Sequence, residues 1–292
     1  MQLFMQQMIN GVSLGSIYAL IALGYTMVYG TIKLINFAHG EVYMMGAFTG
    51  FYLVTVLELN FILALIISML TTALLGIVIE RVAYKPLRNS TRIVSLITAI
   101  GVSYLLQNLM IYYLGPEVRA FPSPIPNKIF RVFGLVFNSK QLVVFFTTIL
   151  VMVILQIIVR HTKMGKAMRA VSVNREAAQL MGINVDRVIS FTFALGSGLA
   201  GIAGVLVGVY YNSISPMMGV TPGLKAFVAA VVGGVGSIPG AMVGGYLIGI
   251  LETIVSFLGG SMYKDAAVYA LLIVILLVLP SGLFGKRTGE KV

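Results

Sequence analysis

Residues 160–187 read RHTKMGKAMRAVSVNREAAQLMGINVDR and form the most polar segment of an otherwise apolar chain. One apolar run of membrane-spanning length, 141–159, ends at this segment, and another, 188–210, begins after it. A segment rich in Lys and Arg between two such runs is typical of a cytoplasmic loop of a membrane protein. We therefore predict a polytopic helical membrane protein in which 160–188 is a cytoplasmic loop that carries one short helix.

The composition of the whole chain supports this fold class. Of the 292 residues, 59% are hydrophobic and only 10% are charged, and the mean hydropathy is +0.99. A soluble domain carries about 25% charged residues, so too little polar surface is present here to face water. Several runs approach the roughly 20 apolar residues needed to cross a hydrocarbon core. A β-barrel is disfavoured because its strands would alternate apolar and polar residues.

Eight apolar segments predict an all-α bundle of about eight transmembrane segments. They lie near 8–29, 41–57, 61–79, 93–114, 141–159, 188–211, 222–258 and 266–283. The seventh is too long for one span and contains a glycine-rich run, so we expect two shorter helices joined by a turn. Met1 to Asn10 contains no basic residue, so the first segment is expected to be retained rather than cleaved as a signal peptide. We interpret 1–292 as a single transmembrane domain.

The basic residues between these segments predict the orientation of the chain. They concentrate in 80–92, in 160–187 and in the C-terminal tail, which holds Lys286, Arg287 and Lys291. The positive-inside rule places all three in the cytoplasm. The N-terminus and the 115–140 loop are then external, provided that 222–258 enters the membrane and returns. The four basic residues of 115–140 oppose this assignment mildly, and the loop is long enough to hold some structure of its own.

Several functions are excluded or disfavoured by what the sequence lacks. The net charge of +11 does not indicate nucleic-acid binding, because the basic residues cluster between apolar runs. The chain has no cysteine, and His39 and His161 are far apart, so no metal site is expected. Gly165-Lys166 is followed by Ala167, so the chain has no phosphate-binding loop for ATP. No HExxH or GxSxG motif is present, so we expect a non-catalytic subunit.

Residues 174–182 predict a short helix in the polar loop. Asn174 suits a helix N-cap, and Glu176 lies in the first turn, where the helix dipole favours a carboxylate. Gly182 suits the left-handed conformation that follows a helix end. About two turns of helix are unstable alone in water, so this helix is expected to dock on a partner or on the rest of the chain. An ordinary amphipathic connector is the alternative.

Residues 35–47 place polar side chains at the start of an apolar run. Asn36, His39 and Glu41 would be costly in lipid unless they are paired or face water. If the stretch is helical, His39 and Tyr43 share one face, and Asn36 and Gly40 share another. Glu41 could bond His39, a neighbouring helix or a freed backbone amide. The stretch is interpreted either as a broken helix lining a transport route or as a capped helix end at the membrane surface.

A second polar, glycine-interrupted stretch lies at 223–241. Lys225 is an isolated charge in an apolar segment, and Glu252 is a possible partner further along. The turn that follows contains Gly234 and Gly236. One such stretch in each half of a chain indicates a transporter with a midplane site and an inverted repeat. The two stretches share too little sequence to establish a repeat on their own.

Taken together, these stretches resemble one family nearly from end to end. Glu176, Ala177, Ala178 and Gly182 match the Glu-Ala-Ala-x-x-x-Gly pattern of ABC importer permeases. The chain as a whole resembles the inner-membrane permease of the bacterial high-affinity branched-chain amino acid ABC importer. The matching strings are Asn10-Gly11, Leu14 to Ser16, Tyr18 to Ala22, Gly24 to Gly30, Ile35 to Tyr43, Ile79 to Tyr84, Leu180 to Val188 and Lys225 to Gly245.

The resemblance implies an inner-membrane assembly with several partners. These are a related second permease, two cytoplasmic ATPase subunits and a soluble substrate-binding protein outside. The loop helix would lie in a groove on an ATPase subunit, and ATP and Mg would be used by the ATPases, with no cofactor bound by this chain. The cargo would be Leu, Ile and Val. Asn36, His39, Glu41, Lys225, Gly234 and Gly236 are candidates for the translocation path.

Three other functions stay open from the sequence. An ABC permease of the same kind could carry another small polar solute, such as other amino acids, amides or urea. A stand-alone channel or secondary transporter would need no ATPase, and its loop helix would be a passive connector. A membrane enzyme would have only His39 and Glu41 as support.

Overall fold

The structure is a computed structural model that describes residues 2–88, 90–132 and 134–285. The described residues form eleven α-helices and four short strands. The helices are α1 (Gln2–Ile32), α2 (His39–Thr55), α3 (Phe61–Ile79), α4 (Arg92–Leu114), α5 (Ser139–His161), α6 (Lys163–Val173), α7 (Arg175–Leu180), α8 (Val185–Tyr211), α9 (Val220–Gly233), α10 (Ile238–Phe257) and α11 (Lys264–Val278). The strands are β1 (Arg119–Ala120), β2 (Ile129–Val132), β3 (Leu135–Asn138) and β4 (Ser213–Ile214). The tail residues Lys286, Arg287 and Lys291 lie outside the described residues.

The predicted helical membrane fold is confirmed. Within the described ranges, seven helical segments are long and apolar enough to cross a membrane, and they contain α1, α3, α4, α5, α8, α10 and α11. Two apolar helices are shorter, with 17 residues in α2 and 14 in α9. The predicted division of 222–258 is also confirmed. The chain leaves α9 at Gly233 and enters α10 at Ile238, where the Ser237 side chain accepts a hydrogen bond from the Gly240 amide.

The two ends of the bundle are each held together by different contacts. At one end, here called the strand end, Gln6 of α1 bonds the backbone of Val136, and β1 pairs with β4 after α8. At the other, here called the basic end, Arg175 donates to the carbonyl of Ile32, the last residue of α1. Because α8 starts at the basic end and α1 finishes there, the two helices run in opposite directions.

The 115–140 loop holds structure of its own, as predicted. β1 pairs antiparallel with β4, placing Arg119 opposite Ile214. β2 and β3 form an antiparallel hairpin. The hairpin leads directly into α5, whose first turn is closed by a capping box between Asn138 and Gln141. The loop is therefore tied both to the connector before α9 and to the start of a spanning helix.

Close helix packing forms the centre of the bundle. α1 and α8 approach at Gly24, where a β-carbon would overlap the His39 ring and the Gly196 carbonyl. α1 and α10 approach equally closely at Gly15 and Gly249. Helices in lipid associate by such close packing, since apolar surface gains little by leaving one apolar medium for another. α3, α4, α5 and α11 lie around this centre and leave many apolar side chains exposed.

The prediction of one short helix in 160–188 is wrong, because the segment contains two. α6 precedes α7 and is capped by the Thr162 side chain, which accepts from the Gly165 amide at 3.0 Å. Met168 and Val171 lie on one side of α6 and are buried against the bundle. Met164, Met168 and Val171 are spaced at i, i+4 and i+7, which is the helical pattern that could have indicated α6. The loop is thus anchored by α6 before it reaches α7.

Candidate functional site

α2 begins inside the bundle rather than at its surface. After α1 the chain turns at Lys33, which has a φ of 56°, and runs back toward the core before α2 starts at His39. The His39 ring lies against Gly24, which precedes the end of α1 by eight residues. Eight residues correspond to about 12 Å of helix. This depth favours the broken-helix interpretation of 35–47 over a cap at the membrane surface.

Asn36 lies in the turn that leads into α2. Its Oδ1 accepts hydrogen bonds from the Ala38 amide at 3.1 Å and from the Tyr84 hydroxyl at 3.0 Å. Asn36 would share a helix face with Gly40 only if the stretch were helical from Asn36 onward, and the helix starts only at His39. Asn36 therefore ties the start of α2 to the segment that follows α3.

The starts of α2 and α9 meet face to face. A β-carbon on Gly40 would overlap the Gly219 carbonyl, and Gly223 also packs against Gly40. Neither helix start is capped by a side-chain hydrogen bond. The N-terminus of a helix carries about half a positive charge, so two such ends converge here. Because each short helix follows a long one, and α1 and α8 run in opposite directions, the α1–α2 and α8–α9 pairs have the form of an inverted repeat.

A cavity of about 150 Å³, here called the crossing cavity, opens where the two helices meet. Its lining combines apolar side chains with a few polar groups. The lining includes Phe37, Glu41, Ile100, Ser103, Gly219 and Leu224. Of the predicted path residues, Glu41 lines this cavity, whereas Asn36 and His39 do not. Ser103 and Ile100 belong to α4, which sequence reasoning did not connect with the site.

Glu41 is almost fully buried, with 2% of its surface exposed. Its Oε1 accepts a hydrogen bond from the Ser103 hydroxyl at 3.2 Å, which confirms one of the partners considered, a neighbouring helix. Its Oε2 has no hydrogen-bond partner among the described residues. Buried carboxylates in membrane proteins are normally paired, so this oxygen needs an explanation.

Lys225 is also buried, but it points away from the crossing cavity. Its Nζ lies 2.9 Å from Glu252 of α10 and 2.6 Å from Asp265 of α11. The same Glu252 carboxylate accepts from the Tyr18 hydroxyl at 2.8 Å and lies 3.4 Å from the ammonium of Lys264. The pairing of Lys225 with Glu252, which the sequence left as a possibility, is present in the structure. Asp265, Lys264 and Tyr18 were missed, because they come from other segments.

Gly234 and Gly236 lie at the basic end, far from Glu41 along α9. Both have positive φ, at 103° and 89°, as a tight turn between two helices requires. Gly234 packs against Gly285, and Gly236 lines a separate cavity of about 450 Å³ that also touches Arg160. The structure does not bring these glycines together with the α2 start.

α7 has the local structure that the sequence predicts. Asn174 accepts a hydrogen bond from the Ala177 amide at 3.0 Å, Glu176 lies in the first turn, and Gly182 has a φ of 81°. Ala178 is buried against the bundle, whereas Leu180 and Met181 are 89% and 83% exposed. Two large apolar side chains therefore project at the end of a six-residue helix, Leu180 as its last residue and Met181 as its C-cap.

The segment 80–88 connects the α7 region with the start of α2. It opens with a single π-helical turn, Glu80–Tyr84, a feature found frequently at functional sites. Arg88 bridges the buried Glu80 and Asp186 at the start of α8, and Lys85 also pairs with Asp186. Glu80 additionally accepts from the Ser190 hydroxyl at 2.6 Å. With the Tyr84 bond to Asn36, these contacts run from α8 to α2.

The bundle, the two short helices α2 and α9 that meet inside it, and the crossing cavity between them define a multi-pass membrane permease. Among the described residues, no group of three or more His, Asp or Glu could hold a metal ion. The family model described as branched-chain amino acid transport system, permease component, matches residues 7–278, and the chain belongs to this family.

Related proteins match over almost their whole length. The high-affinity branched-chain amino acid transport system permease protein LivH of Salmonella typhimurium is 46% identical over 99% of this chain and 98% of that protein. BraD of Pseudomonas aeruginosa, which carries the same description, is 43% identical with the same coverage. Among solved structures, PsaBC from Streptococcus pneumoniae in complex with Fab matches 96% of this chain and 94% of that one, with 13% identity and a TM-score of 0.50. The last likeness concerns the fold alone.

Proposed function

We propose that this chain is the permease subunit of an ATP-driven importer that moves branched-chain amino acids across the bacterial inner membrane. The observation that carries the proposal is the family match over 7–278, together with relatives of that description at 43–46% identity over nearly the full chain. The crossing cavity supports it, because its apolar lining and few polar groups suit a zwitterion with an alkyl tail.

The basic end faces the cytoplasm in this proposal, and α7 docks there on an ATPase subunit. The positive-inside rule supports this side, since 80–92 and 160–187 are both at this end. α7 is too short to be stable without further contacts, and its exposed Leu180 and Met181 are suited to burial in a groove of another protein. Glu176, Ala177 and Gly182 are exposed beside them. ATP and Mg²⁺ are bound by the ATPases, and this chain contributes no cofactor site.

Closure of the ATPases moves α7, and two sets of contacts carry that motion into the bundle. Arg175 of α7 holds the last carbonyl of α1. On the other side of α7, Asp186 and Arg88 tie the start of α8 to the 80–88 segment. Tyr84 in that segment then holds Asn36 before α2. A displacement of the loop therefore reaches the residues beside the crossing cavity through side chains that are in contact.

The remaining partners act at the strand end and beside the chain. A soluble binding protein delivers cargo at the strand end, and a related second permease completes the path. Asn36 and His39 shape the wall behind the crossing cavity, and Gly234 and Gly236 allow the tight turn at the basic end. Lys225 holds α9 in place by pairing with the carboxylates of Glu252 and Asp265, and it does not touch cargo.

Purification of the tagged chain from its native membrane tests the proposal. An ATPase with a phosphate-binding loop is expected to copurify, and proteoliposomes of the complex should take up leucine only with ATP and binding protein present. Competition by isoleucine and valine, but not by amides or urea, is the expected cargo profile. Leucine transport by the isolated chain down a gradient, without ATPase, would instead support the stand-alone transporter.

A further inference from the structure

The unpartnered oxygen of Glu41 marks an incomplete charge site in the centre of the bundle. Glu41 is 2% exposed, and the hydroxyl of Ser103 satisfies only one of its two oxygens. Leaving a buried carboxylate oxygen without a donor is costly, and within a membrane the cost applies to the charge as well. Something that carries a positive charge or a proton therefore completes this site.

The described residues supply no cation to Glu41. Lys225, the buried lysine of the neighbouring helix α9, is already held by Glu252 and Asp265. His39 precedes Glu41 by two residues, but its ring lies against Gly24 in α1. No salt bridge of the described chain includes Glu41, in contrast to the cluster around Arg88. The missing group must come from outside the chain.

The surroundings of Glu41 fit an α-amino acid in particular. Its Oε2 lies against Gly219, where α9 begins without a side-chain cap, so a positive helix end is next to a negative side chain. In the first turn of α9 the Val220 amide donates to Met217 and Pro222 has no N–H, so the Thr221 amide is the donor left without a backbone partner among the described residues. An ammonium group and a carboxylate could therefore be bound side by side. Phe37, Ile100 and Leu224 line the same cavity and offer an apolar surface for an alkyl side chain.

We propose that Glu41 binds the ammonium group of the cargo while the start of α9 binds its carboxylate. This inference rests on the proposed function, since it assigns the ligand contacts of an amino-acid path. In the conformation described here, Gly40 and Gly219 are in contact and cover Oε2. Cargo binding accordingly requires α9 to move away from α2.

The test uses the complete transporter with its ATPases and binding protein in proteoliposomes, and measures ATP-dependent uptake of radiolabelled leucine. Glu41→Gln keeps the shape but removes the charge, and uptake is expected to fall at least about tenfold, as the loss of one charge-assisted hydrogen bond predicts. Glu41→Asp keeps the charge and should retain more uptake than Glu41→Gln. Uptake by Glu41→Gln equal to that of the wild type would overturn the inference and make Glu41 a protonated structural residue.

A second measurement decides the case in which Glu41→Gln does not assemble. Binding to the wild-type complex without binding protein is compared by saturation-transfer NMR for leucine and for 4-methylpentanoate, which lacks the ammonium group. Leucine is expected to give the stronger signal, and equal signals would overturn the inference. If the wild-type complex takes up no leucine at all, the proposed function fails; if only the effect of Glu41 is missing, the ligand assignment fails alone.

Discussion

Lys225 and Glu41 are buried charges on the two short helices that meet inside the bundle, yet their surroundings differ. The Nζ of Lys225 has two carboxylates within 3 Å, and one of these, Glu252, also accepts a hydrogen bond from the Tyr18 hydroxyl. Glu41 has a single hydroxyl and an oxygen without a partner. Lys225, which holds α9, is thus fully paired within the described chain, whereas Glu41 beside the crossing cavity is only partly paired. α7 also presents groups that the described chain does not cover, because Leu180 and Met181 are exposed.

The largest expected effect on the stability of the fold comes from breaking the completed site. Lys225→Met leaves two carboxylates without their shared cation, and removal of one partner from a buried pair costs about 3–5 kcal/mol. The variant should accumulate poorly in the membrane and lose its thermal transition in detergent. Lys264→Met is the matched control, because Lys264 is 43% exposed and more distant from Glu252, so its melting temperature should change little. Equal stability of both variants would contradict the distinction.

Changes to the exposed surface of α7 should affect binding of the ATPase rather than the stability of the fold. Leu180→Ser with Met181→Ser removes two exposed apolar side chains, so the fold should keep its melting temperature. If each side chain is buried by the ATPase, about 1.5–3 kcal/mol of contact is lost per residue. The yield of copurified ATPase should then fall at least about tenfold. Val118→Ser, at a 69% exposed position in the 115–140 loop, serves as the control and should leave the yield unchanged.

The meeting of α2 and α9 can be tested by adding one methyl group. Gly40→Ala places a β-carbon on the Gly219 carbonyl, so the helices must separate at a cost of about 1–3 kcal/mol. We expect leucine uptake to fall several-fold while the protein still reaches the membrane, because the transport cycle must also return to the conformation in which these helices touch. Gly101→Ala in α4 is the matched control, because a β-carbon there meets nothing within 4 Å. Normal uptake by Gly40→Ala would show that the described contact is not needed for transport.

The smallest expected effect concerns the link between α7 and α2. Tyr84→Phe removes the hydroxyl that bonds Asn36, a loss of about 1 kcal/mol. We expect more ATP to be hydrolysed for each leucine transported, with the complex still assembled. An unchanged ratio of ATP to leucine would remove Tyr84 from the coupling contacts. Asn36→Ala, which removes the other partner of this bond, should change the ratio in the same direction.

Local patterns in the sequence were sufficient for the parts of the structure that depend on neighbouring residues. The cap at Asn174, the left-handed Gly182 and the division after Gly233 all follow from residue types at short spacing. The same reasoning overlooked α6, because a polar loop was taken as a whole and its buried Met168 and Val171 were not read as a helical face.

Contacts between distant segments could not be predicted in this way. Ser103 reaches Glu41 across 62 positions, and Tyr18 reaches Glu252 across 234. Nothing in the residues near Glu41 indicates that α4 passes beside it, and nothing near Lys225 indicates that Asp265 adds a second carboxylate. The role of Glu80 was hidden for the same reason, since its partner Ser190 belongs to α8. Such pairings depend on how the helices are arranged, which a single sequence does not state.

The charge cluster around Lys225 also has a consequence for biosynthesis. Its charged members come from three successive helices, with Lys225 in α9, Glu252 in α10, and Lys264 and Asp265 in the first turn of α11. An unpaired charge costs up to about 2.5–3.5 kcal/mol on insertion scales, the value for the centre of a spanning helix. α10 alone would bring the bare carboxylate of Glu252 into lipid. The last third of the chain is therefore expected to leave the insertion machinery as a unit of three helices rather than one helix at a time.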